Sequence, residues 1–239
     1  MRGFIELLVC PYDVGAEATE FEGVKQFLSS AELAALQSFK VEDARLQFLI
    51  SRYLLRKGLS EFLGLPPQEL DIRRRSSGKP FVYHFDKPVR NLDFSLSHTR
   101  GMAVLLIMPG QWRCGVDVER IDVRDVKDFM SPRFFSERER QVILAGVNEE
   151  EVSANLLAHW TLKEAYLKAT GEGLAGLSSE IEVVNGSEGR FVIDSRWSSV
   201  RPRKMVFQDR RIDDRFHLAM AWESGIPPLE LVQRIVSCV

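Results

Sequence analysis

The run Met102-Ala103-Val104-Leu105-Leu106-Ile107-Met108 is the longest uninterrupted apolar stretch in the chain, and it constrains the fold more than any other feature. A membrane span needs roughly 20 such residues, so this segment cannot be one. It reads as a strand, with Pro109-Gly110 behind it marking a boundary between two halves of the chain. The chain is long enough to build a core around such a strand. Its 239 residues, 45% of them apolar and 28% charged, suit one large domain or two small ones.

Charge excludes some classes of partner. Lys and Arg total 32 against 34 Asp and Glu, a net charge of −2. That balance argues against an obligate nucleic-acid coat or a polybasic membrane binder, while leaving room for a local basic pocket. The opening Met1-Arg2-Gly3-Phe4-Ile5-Glu6-Leu7-Leu8 is interrupted by Glu6 and lacks a small-residue cleavage site, so it reads as a first strand and not a signal peptide. Cys10, Cys114 and Cys238 have neither metal-like spacing nor a disulfide framework, which makes the cytoplasm the expected compartment.

Helix signals follow the first strand. Ser29 and Glu32 form a capping box before Leu33, Leu36 and Phe39. Leu46, Leu49, Ile50, Tyr53 and Leu54 then repeat at helical spacing up to Gly64, with Arg45, Arg52 and Arg56 on the polar side. Strands are expected near 71–75, 92–96 and 102–108, with Ser97-His98-Thr99-Arg100-Gly101 as the loop between the last two. The second half opens with a strand at 112–118. Ser136 with Glu139 and Asn148 with Glu151 then start two helices, the longer one ending at Gly171 and Gly173. Four strand-like segments close the chain. Both halves thus read strand, helices, then strands, which predicts an α+β chain of two similar lobes, 1–109 and 110–239, with a ligand in the cleft between them.

Three acids carry the chemistry. Asp117 and Glu119 flank Val118, and on a strand they share one face about 6–7 Å apart. Two carboxylates so placed repel unless a cation sits between them. Mg²⁺ is the natural occupant, because it takes oxygen ligands and keeps waters that substrate phosphates can replace. A solvent-facing edge strand would tolerate the same pair. Glu164 and Lys168 are four apart on one helical face, which makes either a surface ion pair or a third metal ligand with a phosphate contact beside it. Ser97 and His98 sit where a hydroxyl and an imidazole could grip phosphate oxygens, although a lone histidine is more often simply satisfied by a hydrogen bond. His84, His159 and His217 read as structural.

Four motifs occur in order: Phe94-Ser95-Leu96-Ser97-His98-Thr99, Gly115-Val116-Asp117-Val118-Glu119, Phe134-Phe135-Ser136-Glu137-Arg138-Glu139, and Trp160-Thr161-Leu162-Lys163-Glu164-Ala165-Tyr166-Leu167-Lys168. Together the set resembles the Sfp-type 4′-phosphopantetheinyl transferases, with Gly78-Lys79-Pro80 and the Arg45 helix fitting upstream. The resemblance implies a two-lobed, pseudo-twofold fold with the active site between the lobes. It implies an enzyme that moves the phosphopantetheine arm of coenzyme A to a serine of an apo acyl or peptidyl carrier protein, releasing adenosine 3′,5′-bisphosphate. By the same resemblance Asp117, Glu119 and Glu164 are the Mg²⁺ ligands, Glu164 also the base, and Lys168 the pyrophosphate contact. Ser97 and His98 would bind coenzyme A phosphates, Arg45 the 3′-phosphate, and Lys79 with Pro80 the adenine side. Lys163 resembles a family lysine beside the acid. The helix before Arg45 lacks the family's usual basic residues, for which one of Arg73, Arg74 and Arg75 could substitute. Carrier contact is expected near Arg133, Phe134, Phe135 and Arg138, and the working form is expected to be a monomer. Two other readings use the same acids: a metal-dependent phosphoesterase, or a non-catalytic binder of coenzyme A or carrier.

Overall fold

Capping chemistry and apolar alternation set the element borders in the computed structural model, which describes residues 4–75, 78–121, 130–173, 176–186, 189–194, 205–223 and 229–238. In chain order the strands are β1 (Phe4–Pro11), β2 (Asp71–Arg74), β3 (Pro80–His84), β4 (Lys87–Pro88), β5 (Leu92–Thr99), β6 (Met102–Pro109), β7 (Cys114–Arg120), β8 (Ile181–Gly186), β9 (Gly189–Asp194), β10 (Met205–Ile212), β11 (Phe216–Glu223) and β12 (Glu230–Ile235). The helices are α1 (Ser30–Ser38), α2 (Glu42–Leu63), α3 (Glu137–Leu144) and α4 (Glu149–Thr170). The predicted caps form. Ser29 and Ser136 each close a capping box with the glutamate three residues on, and Asn148 accepts from the Glu151 amide. Gly64 and Gly171 end the two long helices in the left-handed conformation that glycine adopts without a Cβ penalty. Among the described residues no helix is long and apolar enough to cross a membrane.

The chain divides into two compact units, residues 1–111 with 229–239, and residues 112–228. In the first unit the strand order is β12-β1-β6-β5. The apolar run lies in β6, every residue of which is buried between β1 and β5. Helix α2, 22 residues long, crosses this sheet. It comes close enough that a Cβ on Gly58 would sit 2.5 Å from Leu8 Cδ1 and 2.6 Å from Leu105 Cδ2. A small sheet, β2-β3-β4, completes the unit.

The second unit repeats the theme of one long helix on antiparallel strands. Its sheet is β10-β11-β7, with β8 and β9 forming a hairpin beside it. Helix α4, also 22 residues, is apolar on several sides and serves as the unit's central post. Leu162, Ala165 and Ala169 face β7 and β11, while Tyr166 and Leu167 pack on Leu177 and Ile181, and Leu156 packs on Phe135 and Ile143.

The structure corrects four expectations. The second lobe does not run to Val239: β12 pairs in parallel with β1, and its Arg234 bridges the buried Glu6 and Glu61 of α2. That pairing satisfies both a strand edge and a buried carboxylate, and neither is visible at short range in sequence. Strand β5 runs on to Thr99, so Ser97 and His98 are strand residues opposite Val104 and Ala103, and the turn is tightened to Arg100-Gly101. Arg56 is not on a solvated face. It is buried, paired with Glu32, and donates to the carbonyls of Pro67 at 2.6 Å and Leu70 at 3.0 Å. Phe135 is fully buried and so belongs to the core, while Phe134 is half-buried and packs edge-on against Trp160.

Arg56 ties α1, α2 and the segment entering β2 into one knot. Replacing it by alanine takes the charged partner from Glu32, which still accepts from Ser29, and leaves the Pro67 and Leu70 carbonyls without this donor. The change should lower the unfolding free energy by about 3 kcal/mol in urea titrations. A loss below about 1 kcal/mol would show that the knot is not stabilising.

Candidate active site

A glycine positions the acids. Gly115, Asp117 and Glu119 alternate along one face of β7, the face that α4 covers. A Cβ on Gly115 would lie 1.9 Å from the Ala165 carbonyl oxygen and 2.6 Å from the Ala169 amide nitrogen, so only glycine allows the helix this close. Across the sheet Ala221 stands opposite Gly115 and Ala219 opposite Asp117, which keeps the neighbouring strand low as well. The result sets Lys168 Nζ 2.6 Å from Asp117 Oδ1 and brings the Glu164 carboxyl near enough to Asp117 for the two charges to repel.

Glu164 is the most perturbed acid there. Only 8% of it is exposed, and its Oε1 is buried with no hydrogen-bond partner among the described residues. Burial pushes its pKa up to about 7, the charge of Asp117 adds to the rise, and Lys168 pulls against it. An orphaned carboxylate oxygen beside a second buried carboxylate is a set of hard donors that calls for a proton or a cation. Glu119 follows on the same face of β7, half-buried and opposite His217. The structure therefore brings Asp117, Glu164 and Lys168 together, with Glu119 next along the strand. Among the described residues no group of three or more His, Cys, Asp or Glu side chains is gathered tightly enough to hold a metal by itself.

Lys163, next to Glu164, faces elsewhere. It is fully buried, donating to the Phe134 carbonyl at 2.6 Å and pairing with Glu139 Oε2 at 2.8 Å, while Glu139 Oε1 accepts from the Val183 amide at 2.9 Å. Burial lowers the Lys163 pKa, and the Glu139 charge partly restores it. This lysine fixes the rotation of α4 against α3 and β8, and so aims Glu164 toward β7. His217 is likewise held, between Thr161 of α4 at 2.9 Å and Asp209 of β10 at 3.3 Å.

The remaining predicted residues lie in the first unit. Ser97 is buried near the end of β5 and His98 is exposed beside it. Lys79 pairs with Asp93 of β5, and Pro80 opens β3. Arg45 lies in the first turns of α2, 3.5 Å from Glu42, with its Nε buried and finding no acceptor among the described residues. Arg52, two turns on along the same face, shows the same unmatched Nε, and burial lowers its pKa with Arg74 and Arg56 adding to the effect. The family resemblance points to Arg45 alone, and Arg52 shares its face of α2. The seven-residue spacing was the available signal. Of the three arginines weighed as substitutes, Arg73 is engaged by Asp71 and Asp86, whereas Arg74 is the one whose charge reaches Arg52.

Comparison with known proteins gives a consistent outcome. A profile of the 4′-phosphopantetheinyl transferase superfamily matches residues 113–221, and one for 4′-phosphopantetheinyl transferase, N-terminal, matches residues 16–109. The chain is 32% identical over 166 residues to the 4′-phosphopantetheinyl transferase HetI of Nostoc sp., covering 69% of this chain and 68% of that one. It is 31% identical over 171 residues to the 4′-phosphopantetheinyl transferase psf-1 of Bacillus pumilus, covering 71% and 69%. Among solved structures, a Bacillus anthracis holo-(acyl-carrier-protein) synthase in complex with CoA aligns with a TM-score of 0.40 and 23% identity, over 47% of this chain and 96% of that one.

Two predictions follow from the seam between β7 and α4. Gly115→Ala should force α4 off the strand, lowering stability by about 3 kcal/mol through overpacking against backbone. It should also return Glu164 toward its ordinary pKa in NMR titration as the gap to Asp117 opens. The second concerns pH. In the folded, metal-free chain Glu164 holds its proton to about pH 7, whereas the unfolded chain releases it near 4.5. The folded state thus binds more protons in that window, and its stability falls as pH rises from 4.5 to 7. Glu164→Gln should remove this fall, worth up to about 3 kcal/mol, when wild type and variant are compared by urea melts with a chelator present. Parallel pH profiles would refute the assignment.

Proposed function

Because the chain belongs to the 4′-phosphopantetheinyl transferase superfamily, we propose that it transfers the phosphopantetheine arm of coenzyme A to a serine of an apo carrier protein through Glu164, Asp117 and Lys168. The observation that carries the residue assignment is the buried, unmatched Glu164 oxygen held beside Asp117, with Lys168 four residues along the helix.

Phosphoryl transfer asks a protein for positioning and for charge neutralisation. In this reading the carrier serine oxygen forms a bond to the β-phosphorus of coenzyme A, the pyrophosphate bond to adenosine 3′,5′-bisphosphate breaks, and Glu164 takes the serine proton. A carboxylate poised near neutrality suits that task, since a base is most effective when its pKa lies close to the working pH. Asp117, Glu119 and Glu164 offer only oxygen ligands and would hold Mg²⁺, which when bound supplies positive charge to the pyrophosphate. Lys168, now on Asp117, would turn its ammonium toward the leaving phosphate. Arg45 is read as the 3′-phosphate ligand, with Arg52 and Arg74 adding charge where the preceding helix has none. His98 and Ser97 are read as phosphate contacts, and Lys79 with Pro80 as the adenine side. The monomeric, cytoplasmic working form expected from the sequence belongs to the same proposal, and sedimentation analysis tests its first part.

The decisive experiment incubates the chain with coenzyme A, Mg²⁺ and a panel of apo carrier proteins and follows intact carrier mass. A gain of one phosphopantetheine is expected. Glu164→Gln should slow that gain by about 10²–10⁴-fold, the usual share of a general base, while coenzyme A still binds by calorimetry. A variant that modifies carrier at the wild-type rate would overturn the role of Glu164. Coenzyme A cleavage that needs no carrier would replace transfer by hydrolysis.

A further inference from the structure

The two thiols in the first unit are not part of that chemistry, yet they are placed against each other. Cys10 lies on β1 and is fully buried. Cys238 follows β12 and is 7% exposed. Residues 10, 236 and 238 point into the same core cluster, so the parallel pairing of β12 with β1 delivers Cys238 to the side of the sheet that Cys10 occupies. The Cys238 thiol donates to the carbonyl of Pro11, the residue after Cys10, at 3.9 Å. Both cysteines are free. The neighbouring thiol and burial raise the pKa of Cys10, and Cys238 is the more accessible residue of the two.

Cys238 is one of the residues lining a cavity of about 570 Å³. Its apolar wall includes Tyr12, Phe21 and Val236, and its charged groups are Asp13 and Glu20, with no basic residue among the described residues of the lining. It is large enough for a small organic disulfide, and its acids disfavour anionic ones.

We propose that Cys238 is a thiol–disulfide exchange site for small cationic or neutral disulfides held in this cavity, with Cys10 as the resolving thiol. The Cys238 thiolate attacks one sulfur of the small disulfide, that S–S bond breaks, and one small thiolate leaves and takes up a proton. Cys10 then attacks the Cys238 sulfur, the bond to the second small sulfur breaks, and the Cys10 proton passes to the outgoing thiolate, which departs as a thiol and leaves a Cys10–Cys238 disulfide. Two electrons pass from the protein thiols to the small disulfide, which departs as two thiols. The product staples the strand that closes the first sheet to β1, reversibly and under the control of the small-disulfide pool.

The test uses the full chain with cystamine, 2-hydroxyethyl disulfide and oxidised glutathione, each rate normalised to that disulfide's rate with free cysteine. Non-reducing peptide mapping should find an adduct on Cys238 first and then a linked Cys10–Cys238 peptide. Cystamine should react at least ~10-fold faster than oxidised glutathione because of the acidic lining. Cys114, fully buried on β7, should stay unmodified over the same period. In Cys10→Ala the reaction should stop at the cysteamine adduct on Cys238. Labelling of Cys114 as fast as Cys238, equal rates for cystamine and glutathione, or a folded Cys10→Ala variant without the adduct would each overturn the proposal. Should that variant fail to fold, the order of adduct and linked peptide in wild type decides alone.

Discussion

Everything in the second unit depends on how closely one helix can approach one strand. Gly115 lets the backbone of α4 rest directly on β7, and alanines at 165, 169, 219 and 221 keep the rest of the contact thin. Larger residues would hold the helix farther off, the usual helix–sheet arrangement, and Glu164 would then meet water. At the observed approach it is buried close to Asp117. Electrostatic energies rise as the local dielectric falls, so the packing of small residues is what raises the pKa of Glu164, first through burial and then through the charge of Asp117.

Such a seam needs rotational as well as radial control. A turn of α4 by a single residue's worth of angle would replace Glu164 with Lys163 at the acids. The buried Lys163–Glu139 pair prevents that turn, because Glu139 is already committed to the α3 cap and to the Val183 amide. In isolation a buried ion pair is a weak source of stability, and its value lies in specifying one arrangement over its neighbours. Arg56 and Arg234 play the same part in the first unit. Each ties a helix to segments distant in sequence, Arg56 through the Pro67 and Leu70 carbonyls and Arg234 through Glu6 and Glu61.

What could be read from the sequence divides along the range of the interaction. Capping boxes at Ser29 and Ser136, the glycine stops at 64 and 171, and the shared face of Asp117 and Glu119 are local and were legible. Glu164 with Lys168 was legible as a helical pair, and the ordered motifs supplied the family. The strand character of Ser97 and His98 was not, because polar residues at a strand's end look like a loop until the pairing with β6 is known. Arg56, Lys163 and Glu139 look like surface charges in any local window, and only their partners across the fold reveal them as buried. The return of β12 to β1 was hidden for the same reason: a parallel pairing across almost the whole chain leaves no local trace.

The buried acids also explain a tension within the design of this transferase. A carboxyl that burial keeps protonated to near neutrality is a liability to the folded state once it ionises, and no donor among the described residues relieves its inner oxygen. Proteins seldom keep such a group unless its unmet demand is used. Lys168 answers only part of the charge: it pairs with Asp117 and its charge pulls the Glu164 pKa down, yet the Glu164 oxygen keeps no hydrogen-bond partner among the described residues. The cost carried by Glu164 in the free chain is therefore the same quantity that favours its taking up a proton or a cation during turnover, and strengthening its internal partners would stabilise the fold at the expense of that affinity.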